Sequence, residues 1–155
     1  IAPSGVFMNH GSDQLNFQFK SNKSSEFKPL KKIVSGGELS RIMLAIKAIL
    51  SRYIKLPTLI FDEIDTGVSG KISDSIAEVM VSMGQKLQLI NITHLPQVAA
   101  KGDYHFKVLK KEQDGKTLTQ LFSLNKQARI EEIAMMLSGN QVTPTAIAHA
   151  KQLMN

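Results

Sequence analysis

The sequence predicts an α/β fold, a mainly parallel sheet flanked by helices with antiparallel hairpin additions. Three observations carry that expectation. Apolar residues recur at helical spacing over 39–53 and again over 72–83; two strand-like runs, Leu59–Phe61 and Leu87–Thr93, enclose the second of these stretches; and Asp114-Gly115 separates two further strand-like segments. A strand, a helix and a strand in succession form a parallel unit with a right-handed crossover, because a twisted strand feeding a helix packs back onto the sheet only that way.

From the amino terminus, Leu15, Phe17 and Phe19 alternate with Asn16, Gln18 and Lys20, the period of a half-buried strand, and Val6-Phe7 can pair with them across a turn at 10–13. Residues 21–29 are polar and read as a loop. Leu39, Ile42, Met43, Ile46, Ile49, Leu50 and Tyr53 then share one face of a helix. Pro57 opens Thr58-Leu59-Ile60-Phe61, whose unbroken apolar character suits a strand covered on both faces. The strand ends in Asp62-Glu63. Ile72, Ile76, Val79, Met80 and Met83 line a second helix, and Gly84 is placed to be the left-handed residue after it. Leu87–Thr93 is the second buried strand, closed by His94, Leu95 and Pro96. Segments 104–109 and 117–122 flank Asp114-Gly115 as an antiparallel hairpin expected to extend the sheet. A helix over Arg129–Leu137 stopped by Gly139, and one capped by Thr143 with Pro144 in its first turn, close the chain. There is no internal repeat.

The chain has 155 residues, enough for one domain with a real core, and its 43% hydrophobic and 21% charged composition excludes disordered and low-complexity classes. Without cysteine there is no disulfide framework, no Cys-ligated zinc and no thiol catalysis. Nineteen Lys and Arg against 13 Asp and Glu leave a net charge of +6, which suits either contact with a polyanion or simply a solvated basic surface. No run approaches the length of a membrane span and no signal-peptide pattern occurs, so a soluble cytoplasmic protein without membrane partners is expected. The first residue is Ile1 rather than Met, which predicts a piece of a longer protein.

Chemistry is concentrated in three places. Ser35-Gly36-Gly37-Glu38 precedes the first helix as a capping box, with two glycines in its opening turn. Each glycine costs about 1 kcal/mol in a helix relative to Ala. The pair therefore marks either a ligand approaching the backbone, phosphate being the natural one at a helix amino terminus, or a capped helix with a flexible lead-in. Asp62 and Glu63 stand at the carboxyl end of a buried strand, where open α/β sheets bind ligands. Pointing to opposite faces, one can hold a hydrated Mg²⁺ and the other orient a water, unless they are merely a polar strand end. His94 closes the neighbouring strand at the same edge. By contrast, Gly67-Val68-Ser69-Gly70-Lys71 is not a Walker A loop, since Ile72 follows the lysine. His10, His105 and His149 lack metal-ligand spacing, and no Gly-x-Ser-x-Gly elbow occurs.

In their order, Ser35-Gly36-Gly37-Glu38-Leu39-Ser40-Arg41, Leu59-Ile60-Phe61-Asp62-Glu63, Asp65-Thr66-Gly67-Val68-Ser69-Gly70 and Thr93-His94-Leu95-Pro96-Gln97-Val98 resemble the signature, Walker B, D-loop and switch histidine of ABC-type ATPases. Glu38 departs from the Gln common in transporters. The wording after Asp65 and around His94 is similar to the RecN family of bacterial DNA repair proteins, in the SMC-like class. That class splits its ATPase head between the two ends of the chain, joined by a long coiled coil.

The resemblance implies that 1–155 is the carboxyl-terminal lobe of an ABC/SMC-type P-loop ATPase head, using ATP and Mg²⁺. It implies that Asp62 holds Mg²⁺, through water, that Glu63 is the catalytic base, and that His94 contacts the γ-phosphate. Asp65 belongs to the loop at the dimer interface, and Ser35, Gly36, Gly37 and Glu38 meet the ATP of a partner head. The implied partners are the amino-terminal half of the same head, which carries Walker A, a second head in an ATP-dependent homodimer, and DNA through the complete protein. The implied function is double-strand break repair and recombination at the bacterial nucleoid, with the isolated chain nearly inert as an ATPase. The alternatives are a non-catalytic DNA-binding or interaction module and a fragment of another ABC-type ATPase.

Overall fold

The computed structural model describes residues 2–9, 11–20, 23–30, 36–62, 64, 65, 67, 68, 70–113, 115–139 and 141–155. The expectations for Ser35, Glu63 and the Ser35/Glu38 capping box therefore lie outside the described residues.

The central unit is the expected strand, helix and strand. β5 (Thr58–Asp62) and β6 (Gln88–Ile92) pair in parallel, from Thr58 opposite Gln88 to Asp62 opposite Ile92, and α2 (Lys71–Gly84) connects them. Phe61 is 2% exposed and packs with Ile76, Ala77, Met80 and Met83 of α2, with Val68, and with Leu44 of α1 (Gly36–Leu50). Each such large side chain contributes about 1.5–3 kcal/mol by leaving water.

Among the described residues, only one face of this pair is covered. Ile60, at 60% exposure, and Ile90 and Ile92 lie open on the other, so the expectation of strands buried on both sides is corrected. The apolar character of both faces is real, but this chain supplies a helix for one. The parallel pair is also not widened by the later hairpin. β7 (Phe106–Gln113) and β8 (Lys116–Ser123) form an antiparallel sheet of their own around the turn at Gly115, where φ is +71°.

α1 docks by an unexpected stripe. Leu44 is buried, Ala48 packs beside it, and the Lys47 ammonium stands 5.0 Å from the centre of the Phe61 ring. Of the face predicted to be buried, Leu39, Met43, Ile49, Leu50 and Tyr53 are exposed and Ile42 and Ile46 half-buried. The helix is apolar nearly all round, so periodicity alone could not say which side meets β5. Gly84 ends α2 as a right-handed residue rather than a left-handed one, and Gln85 after it has φ −67°.

At the amino terminus β1 (Ala2–Met8) pairs with β2 (Gly11–Gln14), one segment earlier than the alternation at 15–19 suggested. Leu15 and Phe17 are exposed. A short β3 (Gln18–Phe19) pairs instead with β4 (Lys28–Pro29), inside the stretch read as a loop.

α3 (Pro96–Ala100), missed by sequence reading because its five residues are too few to show a period, joins two cores. Its Val98 belongs to the cluster around Phe61, and its Ala100 to a second cluster with Ile130, Ile133 and Ala134 of α4 (Lys126–Ser138) and Ala146 and Ala150 of α5 (Pro144–Met154). α5 starts at Thr143 as expected, whereas α4 starts three residues before the expected Arg129, capped by Asn125. Asn125 Oδ1 accepts from the Ala128 amide at 2.9 Å, and Thr143 Oγ1 from the Ala146 amide at 3.1 Å. Arg129 on α4 donates to the carbonyls of Ala100, Gly102 and Asp103, tying the end of α3 to the second core.

His105 sits beside that junction with its Nδ1 buried and unpartnered among the described residues. Burial foremost, then the Arg129 guanidinium, lowers its pKa from the ordinary 6.5, with Glu132 opposing and Lys107 adding to the effect. The unfolded chain therefore takes up a proton near pH 6.5 that the folded chain accepts only at lower pH, so stability falls as pH drops through that interval. Unfolding midpoints followed between about pH 7.5 and 5.5 should decline less steeply in His105→Gln than in the wild type; parallel slopes would refute the assignment.

Candidate functional site

The parallel register sets the site. Because Asp62 lies opposite Ile92, the residues leaving β5 and those leaving β6 emerge at one edge, where the sheet ends and backbone groups turn outward. Asp62 is exposed there. His94 is also at this edge, its side chain 59% exposed.

Beside His94 lies a buried carboxylate. Asp65, in the loop after β5, is 1% exposed. Thr93 Oγ1 donates a hydrogen bond to Asp65 Oδ2 and accepts one from the Leu95 amide at 3.0 Å. The other oxygen, Oδ1, is 3.7 Å from His94 Nδ1 and has no hydrogen-bond partner among the described residues. Asp65 thus ties the loop after β5 to the end of β6, and its carboxylate is turned inward, toward its own chain. Thr93 was not singled out from sequence. The signal was available, since a hydroxyl one step beyond the strand residue facing Asp62 falls within reach of a carboxylate three residues past Asp62.

The loop continues through Val68, whose side chain enters the core and whose amide donates to the Asp65 carbonyl at 3.2 Å. Gly70 begins α2 with φ +55° and ψ −130°, a conformation that side-chain-bearing residues avoid. The Ser73 hydroxyl, fully buried, donates to the Gly70 carbonyl. Gly67, Val68, Gly70 and Lys71 of the rejected Walker A fragment thus lie on the connection from Asp65 to α2 and at its start.

Gly36 opens α1 in exposed backbone, and a Cβ added there would meet nothing within 4 Å. Among the described residues nothing gives a steric reason for glycine at this position. Gly37 and Glu38 follow in the first turn, both half-buried. Among the described residues no three His, Asp or Glu gather to hold a metal ion. Asp62 offers a single outward carboxylate, which fits Mg²⁺ only in a shell made mostly of water and phosphate oxygens. No described helix is long and apolar enough to cross a membrane.

No family model matches the chain. Individual proteins do. The chain is 42% identical over 149 residues to the DNA repair protein RecN of Halalkalibacterium halodurans, covering 96% of this chain and 26% of that protein. It is 44% identical over 144 residues to the DNA repair protein RecN of Bacillus subtilis, covering 93% of this chain and 25% of that protein. It spans about a quarter of the length of these curated relatives. Among solved structures it superposes with a TM-score of 0.60 on a chain from work on the ATP-driven dimerization and DNA-stimulated activation of SMC ATPases, covering 88% of this chain and 80% of that one at 21% identity. At that identity the likeness is one of fold, and the same fold recurs in the Smc head domain from Pyrococcus yayanosii, with a TM-score of 0.59 over 70% of this chain and 20% of that one at 24% identity.

Proposed function

This chain is RecN-like along nearly its whole length, and from that premise we propose that it is the carboxyl-terminal half of an ATPase head acting in DNA double-strand break repair and recombination. The observation that carries the reading is that β5 and β6 end at one edge, with Asp62 exposed at the end of β5 and Asp65 3.7 Å from His94 just beyond, in a sequence whose glycine pair stands at a helix amino terminus. In this reading ATP and Mg²⁺ arrive on the amino-terminal half of the head. Asp62 holds the hydrated metal, Glu63 takes the proton of the attacking water, and His94 contacts the γ-phosphate. Ser35, Gly36, Gly37 and Glu38 face the nucleotide of a second head, so ATP joins two heads. The metal, when bound, neutralises phosphate charge.

Two exposed apolar surfaces support a missing half. Ile60, Ile90 and Ile92 on the open side of β5 and β6, and Leu39, Met43 and Leu50 on α1, are more than scattered surface residues. In this reading the amino-terminal lobe covers them. A cytoplasmic location at the nucleoid follows from DNA as the substrate.

The test is steady-state ATP hydrolysis by the chain alone and after mixing with the amino-terminal half of a RecN-type head. Turnover is expected only from the mixture. Activity of the pure chain would overturn the division of labour. A mixed complex that binds ATP without hydrolysing it would favour the second reading, a DNA-contacting module, which the net charge of +6 and exposed Lys110, Lys111 and Lys116 on the β7–β8 hairpin support.

A further inference from the structure

We propose that Asp65 is a positioning residue for His94, holding the imidazole by its Nδ1 edge so that Nε2 is the nitrogen presented to an anionic ligand. The phosphate identity of that ligand rests on the function proposed above; the hold itself rests on contacts within this chain.

A carboxylate removed from water needs partners for both oxygens. Thr93 provides for one. Its hydroxyl already accepts from the Leu95 amide, so its single hydrogen is free for Asp65 Oδ2. Oδ1 is buried and, among the described residues, has no hydrogen bond; His94 Nδ1 stands 3.7 Å from it. A small rotation of the exposed imidazole brings Nδ1 into donor range. An Nδ1–H turned toward Asp65 leaves Nε2 pointing away from the protein. In the neutral ring Nε2 then carries a lone pair, which repels an anion; it is the doubly protonated ring whose second N–H meets the ligand, with Asp65 on one side and the ligand on the other. This arrangement keeps Asp65 inside its own chain, unlike a residue reaching across a dimer interface.

A purely structural Asp65 would tie the loop to β6 through Thr93 and leave the imidazole alone. Long-range ¹H–¹⁵N NMR of the imidazole separates the two, because it reports which ring nitrogen bears the proton whether or not ATP is hydrolysed. The expected result is the Nδ1–H tautomer for His94 in the wild type and a shift toward Nε2–H in Asp65→Asn. Thr93→Val, which releases Asp65 from the other side, should shift it in the same direction, and Thr93→Ser should restore the wild-type pattern. An Nε2–H tautomer in the wild type, or an Nδ1–H tautomer indifferent to both substitutions, would overturn the proposal. In the two-half assay Asp65→Asn should lower kcat about tenfold with the KM for ATP nearly unchanged. A correct tautomer in a wild-type complex that never hydrolyses ATP would leave the hold intact and count against the ATPase reading instead.

Discussion

Glu63→Gln, placed in this chain and combined with the amino-terminal half of the head, is expected to lower ATP turnover by about 10²–10⁴-fold, the contribution of a positioned general base. Gln keeps the size of the side chain and its capacity to hydrogen-bond water, but it cannot take the proton of the attacking water at neutral pH. Binding does not need that proton transfer. The variant should therefore still bind ATP, and its heads should stay joined once ATP is added, because the step that would release them is blocked. Turnover and ATP-dependent dimerisation, read from the same preparation, check both halves of the statement. Unchanged turnover would remove Glu63 from the chemistry, and heads that separate in ATP would remove the link between hydrolysis and release.

The second large effect is expected at Gly36. Its exposed position and the open space where a methyl group would stand mean that the folded chain should accept a side chain there. Gly36→Ala should leave stability unchanged or raise it by up to about 1 kcal/mol. Gly36→Asp should be tolerated as well, since a negative charge in the first turn of α1 is favoured by the helix dipole. What the aspartate should destroy is engagement of a second head. A carboxylate placed where the γ-phosphate is to dock sets like charge against like charge in a closing interface, at a cost of several kcal/mol. ATP-dependent dimerisation lost in Gly36→Asp, with the unfolding midpoint preserved, would separate the glycine's role in docking from any role in folding. Dimerisation equal to the wild type would withdraw the signature assignment.

Both effects rest on residues that stand out in the sequence alone, and for a physical reason. Glycines at a helix start and carboxylates at the end of an apolar strand are costly or conspicuous choices, so they are visible against local propensity. The same holds for Thr143 with Pro144 and for Gly139, whose capping roles are written in neighbouring residues. The N-terminal strands were less legible. Leu15, Phe17 and Phe19 alternate as a strand should, yet pairing at this end runs through 11–14 and 28–29, because a hairpin's register depends on the turn that closes it.

By itself the sequence determined the parallel β5–α2–β6 unit, the β7–β8 hairpin and the two closing helices, since each is encoded by spacing or capping over a few positions; it marked Gly36, Asp62 and His94 as candidates by local pattern, and Asp65 by resemblance to a D-loop. Tertiary structure alone decided that α1 docks by Leu44 and not by its larger apolar face, that one side of β5 and β6 stays open, and that Asp65 turns inward to Thr93 and His94. Local pattern measures how apolar a face is. Which face is buried, and which buried polar group is satisfied, depends on residues brought together from distant parts of the chain.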